Sequence, residues 1–195
     1  MADENQIVNN PEAEEEQTEQ DINILKKIRM EKLEELKANN ANPFEVMKYD
    51  VTIHNAEAKA EYEKTEAEAM AEAGDDAEAL KAKLEEKRQY VRIAGRIMSW
   101  RDMGKANFID VRDSSDRIQV YVRMNDIGAD AFADFKKWDI GDIVGVEGFV
   151  FRTRKGEISI HAEKMTMLTK SLQILPEKFH GLTDTDTRYR QRYVD

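Results

Sequence analysis

The sequence predicts a β-rich α+β fold, a five-stranded barrel with an N-terminal helical extension. Three observations predict it. Apolar residues recur at helical spacing over residues 21–38, and the period changes to two at Tyr90. Five alternating segments follow, near residues 90–100, 106–113, 117–124, 142–153 and 157–168. A helical segment near 127–137, anchored by Phe132 and Phe135, separates the third from the fourth.

Residues 1–20 are acidic and polar and predict a disordered tail. From Asp21, a plausible N-cap, Ile22, Leu25, Ile28, Leu33 and Leu36 mark one helix face. That helix should stop at Asn39-Asn40, before Pro43. Residues 56–87 are rich in Ala, Glu and Lys and broken at Gly74-Asp75-Asp76. They read as two short helices with strong intrinsic propensity and few apolar anchors. Gly141-Asp142 and Lys155-Gly156 supply turns, the latter a good hairpin signal. The barrel should occupy residues 88–172, leaving 173–195 beyond it, with an amphipathic helical segment at 188–195. Five strands with a helix between the third and fourth is the order of an OB-fold, a small Greek-key barrel.

The chain has 195 residues, enough for one good core. It has no cysteine, which excludes disulfides and thiolate metal sites and fits a reducing compartment. No apolar run approaches the ~20 residues that span a bilayer. The acidic N-terminus lacks a basic-then-apolar signal. A cytoplasmic protein is expected. The net charge of −10 is unevenly spread. Residues 1–87 hold 11 Lys/Arg and 24 Asp/Glu, whereas residues 88–195 hold 19 and 16. The barrel half is therefore mildly basic, which removes the objection to a polyanionic partner without making a case for one.

One residue breaks the strand pattern. Ile109 and Val111 share a face with Ile118, Val120 and Val122, but Phe108 falls on the polar face with Asp110, Arg112, Arg117 and Gln119. With Ser114-Ser115 as the turn, Phe108 opposes Tyr121 and Asp110 opposes Gln119. OB barrels bind single strands with exposed aromatics and a basic groove. A base could stack on Phe108 while the Gln119 amide reads its Watson–Crick edge. The alternative is a Phe–Tyr pair covered by a loop or the N-terminal helix. Arg96, Arg101, Lys105, Arg112, Arg117 and Arg123 offer phosphate contacts or ordinary surface charge, and Asp102, Asp110, Asp113 and Asp116 partly neutralise them. Glu157 either accepts from a base amine or is a solvated carboxylate. His54, His161 and His180 are far apart, and His161 reads as structural. No nucleophile–base set, metal spacing or glycine-rich phosphate loop occurs, so no cofactor site is expected in this chain.

Longer runs are more specific. They are Arg29-Met-Glu-Lys-Leu-Glu-Glu-Leu36, Asn42-Pro43-Phe44, Ala94-Gly95-Arg96-Ile97-Met98, Met103-Gly104-Lys105-Ala106, Ile118-Gln119-Val120-Tyr121-Val122 and Trp138-Asp139-Ile140-Gly141-Asp142-Ile143. Lys155-Gly156-Glu157-Ile158-Ser159-Ile160-His161, Leu168-Thr169-Lys170-Ser171-Leu172, Leu175-Pro176-Glu177-Lys178-Phe179-His180-Gly181-Leu182 and Arg188-Tyr189-Arg190-Gln191-Arg192-Tyr193 follow. In this order they resemble the N-terminal part of class II lysyl-tRNA synthetases, from about residue 25 onward except the Ala/Glu-rich stretch, which looks longer than the family's connection.

The resemblance implies an OB-fold anticodon-binding domain that reads the lysine anticodon, UUU, on lysine-accepting tRNA. By motif, Phe108 matches the aromatic that stacks on an anticodon base and Gln119 the amide that reads the central uridine. Arg101 matches an anticodon-contacting arginine, and Glu157 the acid that helps recognise the first anticodon position. Two positions depart from the pattern: Trp100 replaces a usually basic residue, and Asn107 replaces a small hydroxyl residue. The family's catalytic domain uses ATP and Mg²⁺, forms lysyl-adenylate and carries the homodimer interface. Residues 173–195 resemble its lead-in, and its motifs with catalytic arginines are not in these residues. The chain is thus expected to be a truncated synthetase that binds tRNA and is inactive alone. A stand-alone OB module for single strands or a protein partner is the alternative, and an aspartyl or asparaginyl anticodon domain ranks lower.

Overall fold

The computed structural model describes residues 11–74 and 76–173. The expectations for residues 1–10 and for 174–195, His180 included, lie outside the described residues. Contacts divide the chain into two compact units, one of residues 36–171 and one containing most of the first helix with Leu172 and Gln173.

In the smaller unit, α1 runs from Pro11 to Ala38. It starts ten residues before Asp21, so the expected cap at Asp21 and tail through residue 20 are corrected for residues 11–20. Proline is suited to the first helical position. Along its stripe Leu33 is buried, while Leu25 and Ile28 stay 48% and 42% exposed. Arg29 Nη1 donates to the Gln173 carbonyl at 3.1 Å.

The larger unit holds α2 (Asn55–Ala73), α3 (Ala77–Glu86), β1 (Tyr90–Asp102), β2 (Ala106–Arg112), β3 (Arg117–Arg123), α4 (Met124–Ile127), α5 (Ala129–Phe135), β4 (Ile143–Arg152) and β5 (Ile158–Thr169). The strands close a barrel in the order β1-β2-β3-β5-β4, with β3 and β5 the parallel pair. The expected helix at 127–137 is two helices. Gly128, at φ +89°, breaks the segment where a Cβ would be strained.

Alternation fills the barrel. Ile93, Ile97, Ile109, Val111, Ile118, Val120, Val122, Val144, Val146 and Ile160 all point inward and are buried. One register row circles the outside through Arg101, Phe108, Tyr121, His161, Phe149 and Tyr90. It leaves β1 at Arg101 and returns to it at Tyr90, eleven residues earlier. That stagger is what closure of a tilted five-stranded sheet demands.

The β4–β5 crossing leaves no space at Gly148, where a Cβ would lie 2.0 Å from the His161 carbonyl oxygen. Gly148→Ala is expected to destabilise the fold by about 1–3 kcal/mol, as overpacking against backbone does. Urea unfolding followed by circular dichroism checks this, and an unchanged midpoint would contradict it.

Helix α2 is bolted to the barrel by polar groups as much as apolar ones. Ala58, Tyr62 and Ala69 are its buried apolar anchors. At its start the β2–β3 turn caps it: Asp113 accepts from the Asn55 N–H at 2.8 Å, and Ser115 Oγ accepts from the Ala56 N–H at 3.0 Å. Buried Asn55 donates to the carbonyls of Val111 and Asp116. Burial pushes the Asp113 carboxyl up, but hydrogen bonds from Asn55, Asp116 and Ser115 outweigh it and hold it well below the usual range. Further along, Glu66 takes a forked hydrogen bond from Arg152 of β4, with Nε at 2.8 Å and Nη2 at 2.5 Å. The Ala/Glu-rich stretch therefore has firm anchors that its composition conceals.

Candidate nucleic-acid interface

The residues singled out by sequence converge on one open cleft of about 730 Å³, lined by Arg101, Phe108, Gln119 and Glu157 together. They come from four elements: β1, β2, β3 and the β4–β5 hairpin. Tyr121, Phe151, Arg154 and Lys155 complete much of the lining.

A β-bulge aims Arg101. Val91, Ile93 and Ile97 face inward, so strict alternation would send position 101 inward as well. The register shifts between Ile97 and Ser99. Past that bulge Arg101 sits opposite Phe108 on the outer face, and its guanidinium lies 5.7 Å from the Phe108 ring centre.

The aromatic surface is larger than Phe108. Phe108 pairs with Tyr121 at 4.9 Å between ring centres, and Tyr121 meets Phe151 at 6.3 Å. Both expected pairings hold, Phe108 with Tyr121 and Asp110 with Gln119. Phe108 is half-buried but faces the cleft, so the covered-pair alternative does not describe it. Behind Tyr121, His161 stands edge-on at 5.3 Å, stacks on Phe149 at 4.8 Å, and holds Asp126 through Nε2 at 2.7 Å. His161 is structural, as its sequence context indicated. Hydrogen bonds from Arg123, then from His161, keep the Asp126 carboxyl below its ordinary value against the effect of burial.

Gln119 differs most from a solvated reader. It is 5% exposed, and both ends of its amide are held. Nε2 donates to Glu157 Oε2 at 2.9 Å, and Oε1 accepts from Ser159 Oγ at 3.0 Å. Glu157 is thus not simply solvated.

Of the six candidate cations, only Arg101 lines the cleft. Arg96 donates to the Gly141 carbonyl, Arg117 approaches Asp110, and Arg123 forks onto Asp126. The positive charge at the cleft is instead Arg101, Arg154 and Lys155, against Asp102 and Glu157. Sequence reasoning missed Arg154 and Phe151. Their signal was the hairpin itself, whose flanks Phe151 and Glu157 lie on the same side. Among the described residues no group of His, Cys, Asp or Glu is placed to hold a metal ion, and no helix is long and apolar enough to cross a membrane.

Residues 91–168 match the model of a family described as an OB-fold nucleic acid binding domain. The chain is 44% identical over 176 residues to a lysine–tRNA ligase of Streptococcus suis (strain 05ZYH33), covering 90% of this chain and 32% of that protein. It is 40% identical over 195 residues to a lysine–tRNA ligase of Clostridium botulinum (strain Loch Maree / Type A3), covering 100% and 33%. A lysine–tRNA ligase of Azoarcus sp. (strain BH72) is 57% identical over 105 residues, 54% of this chain and 21% of that protein. The chain is a homologue of lysine–tRNA ligases. Residues 91–168 of its barrel match the OB-fold model, and the chain spans about a third of the length of the curated relatives it matches.

Within this barrel the two departures noted in the sequence explain each other. The bulge turns Trp100 inward, onto Phe135 at 4.3 Å, and its Nε1 donates to Asn107 Oδ1 at 3.0 Å. Trp100 packs, and Asn107 is its partner. Neither position makes phosphate contact its structural role.

Proposed function

We propose that this OB-fold domain binds the anticodon loop of lysine-accepting tRNA and reads its UUU triplet. One observation carries the reading: the four residues matched by motif to anticodon contacts meet in a single open cleft with two further aromatics and two further cations. A base stacks on Phe108 and Tyr121, Gln119 addresses the central uridine, and Glu157 lies beside the first anticodon position. Arg101, Arg154 and Lys155 hold the phosphates. The relatives' name supports tRNA as the partner. In this proposal the work is cytoplasmic. These residues supply binding and no aminoacylation. Lysine activation with ATP and Mg²⁺, and the homodimer, belong to the longer ligase.

The test compares two anticodon stem-loops at one fixed low salt concentration, since phosphate contacts make affinity salt-dependent. One loop carries UUU and the other an unrelated triplet on the same stem. UUU is expected to bind more tightly, and Phe108→Ala to weaken it by about 1–3 kcal/mol, the value of one stacked base. Gln119→Ala should weaken it as well. Equal binding of both loops, unmoved by either substitution, would leave only a general electrostatic binder.

A further inference from the structure

A second groove adjoins the cleft. It is an open space of about 350 Å³ between α3 and β4. The helix side contributes Leu80, Lys81 and Leu84, with Arg88 just beyond the helix, and the strand side contributes Phe149 and Phe151. Phe151 lines the cleft as well, so the groove begins at the cleft's edge. Polar clamps set which face of α3 looks into it. Lys83 Nζ donates to Glu72 Oε2 at 2.5 Å, and Lys87 Nζ donates to Glu72 Oε1 at 2.9 Å. Those two lysines lie one turn apart and tie α3 to α2, which leaves the face of Leu80, Lys81 and Leu84 to the groove.

The glutamate-rich pair of α2 and α3 would repel a polyanion if all its carboxylates were free. Several are not. Glu72 is held by two lysines, Glu66 by Arg152, and Glu61 accepts from Gln89 Nε2 at 2.6 Å. Glu85 is the one carboxylate among the groove's lining residues. Against it stand Lys81 and Arg88, neither of which forms an ion pair among the described residues. The Arg88 guanidinium lies over the Phe149 ring, 4.1 Å from its centre. A guanidinium held on an aromatic ring keeps its N–H donors around its edge, where they fit a phosphate. Lys81 is exposed and offers its ammonium as a point charge.

We propose that this groove takes the nucleotide next to the triplet on the same RNA strand, with Lys81 and Arg88 holding its phosphate. The inference rests on the anticodon reading above and extends the interface beyond the three bases, onto the Ala/Glu-rich segment. An RNA strand suits the groove better than a protein segment for two reasons. The groove shares Phe151 with the cleft, and its two unpaired charges are cations. Phosphate contacts carry no sequence information, so the groove adds affinity and leaves the choice of triplet to the cleft.

The experiment measures binding of three RNAs over a range of salt: the UUU stem-loop, the stem-loop with an unrelated triplet, and the bare trinucleotide UUU. The proteins are the unsubstituted chain, Lys81→Ala, Arg88→Ala and Lys64→Ala. Lys64 is exposed on α2 and outside the groove, so its substitution removes the same charge elsewhere. Lys81→Ala and Arg88→Ala are each expected to weaken both stem-loops by about 2- to 5-fold, the worth of an exposed ion pair. Each should also lower the slope of log K against log salt by about 0.7, the loss of one phosphate contact on a single strand. The preference for UUU should stay unchanged, and so should affinity for the trinucleotide, which lacks the flanking phosphate. Lys64→Ala should move none of the three. Stem-loop affinity and slope unmoved by Lys81→Ala, or moved equally by Lys64→Ala, overturns the groove while the triplet preference stands. An equal loss on the trinucleotide also overturns it. Absence of any triplet preference in the unsubstituted chain overturns the anticodon reading itself. Lys81 is exposed and alanine favours a helix, so Lys81→Ala decides the matter if Arg88→Ala disturbs Phe149.

Discussion

Lys170→Met is expected to destabilise the barrel unit by about 3–5 kcal/mol, the cost of leaving a buried charge without its partner. Lys170 Nζ lies 2.8 Å from Asp142 Oδ2 and 3.1 Å from Oδ1, and it also pairs with Asp139. The Asp142 side chain is 0% exposed and that of Lys170 1%. Asp142 further accepts from the backbone N–H groups of Asp139 and Ser171, each at 2.8 Å. It therefore ties the turn before β4 to the chain after β5. The same turn exchanges two backbone hydrogen bonds with Ile97 of β1. Methionine keeps most of the side chain's length and apolar volume and removes the ammonium, with its charge and its hydrogen-bond donors. Thermal unfolding should show a midpoint lower by roughly 10 °C, given the scaling of unfolding entropy with chain length. The double substitution Lys170→Met with Asp142→Asn should recover part of the loss, because it removes the orphaned charge. A single substitution within 1 kcal/mol of the unsubstituted chain would show that backbone donors alone satisfy Asp142.

The second large effect is expected at Phe135. Phe135→Ala should cost about 3–5 kcal/mol, the range for emptying a buried aromatic site. Phe135 is 0% exposed at the end of α5 and packs in the core cluster with the inward-facing barrel residues. It stacks on Trp100 at 4.3 Å, meets Trp138 edge-on at 5.5 Å and Phe132 at 5.9 Å. The chain has two tryptophans, and both flank this ring. Intrinsic fluorescence therefore reports the site directly: a red shift should accompany the loss of stability. Trp100 precedes Arg101, so loosening it should also weaken binding at the cleft. Phe135→Leu should retain most of the stability because it keeps the apolar volume. An unshifted spectrum with an unchanged midpoint would mean that α5 repacks over the gap.

Much of the barrel is legible in the sequence because a half-buried strand writes its inner face into every second residue. The switch at Tyr90, the five strands, the Lys155-Gly156 turn and the β2–β3 register all follow from that local rule. So does the oddity of Phe108. Motif order supplied the family, and the relatives bear it out.

What local rules miss is set by contacts between distant segments. Alternation alone sends Arg101 into the core, and only the bulge after Ile97 turns it outward to Phe108 while turning Trp100 inward to Phe135. The anchoring of α2 depends on Asp113, Ser115 and Arg152, none of them near it in the chain. Gln119 reads as an exposed polar residue in sequence, yet Glu157 and Ser159 hold it from both ends. The sequence by itself thus determined the strands, their inward faces and which residue types were out of place. Tertiary structure decided which way those residues point, because a bulge and long-range hydrogen bonds carry no periodic trace in the chain.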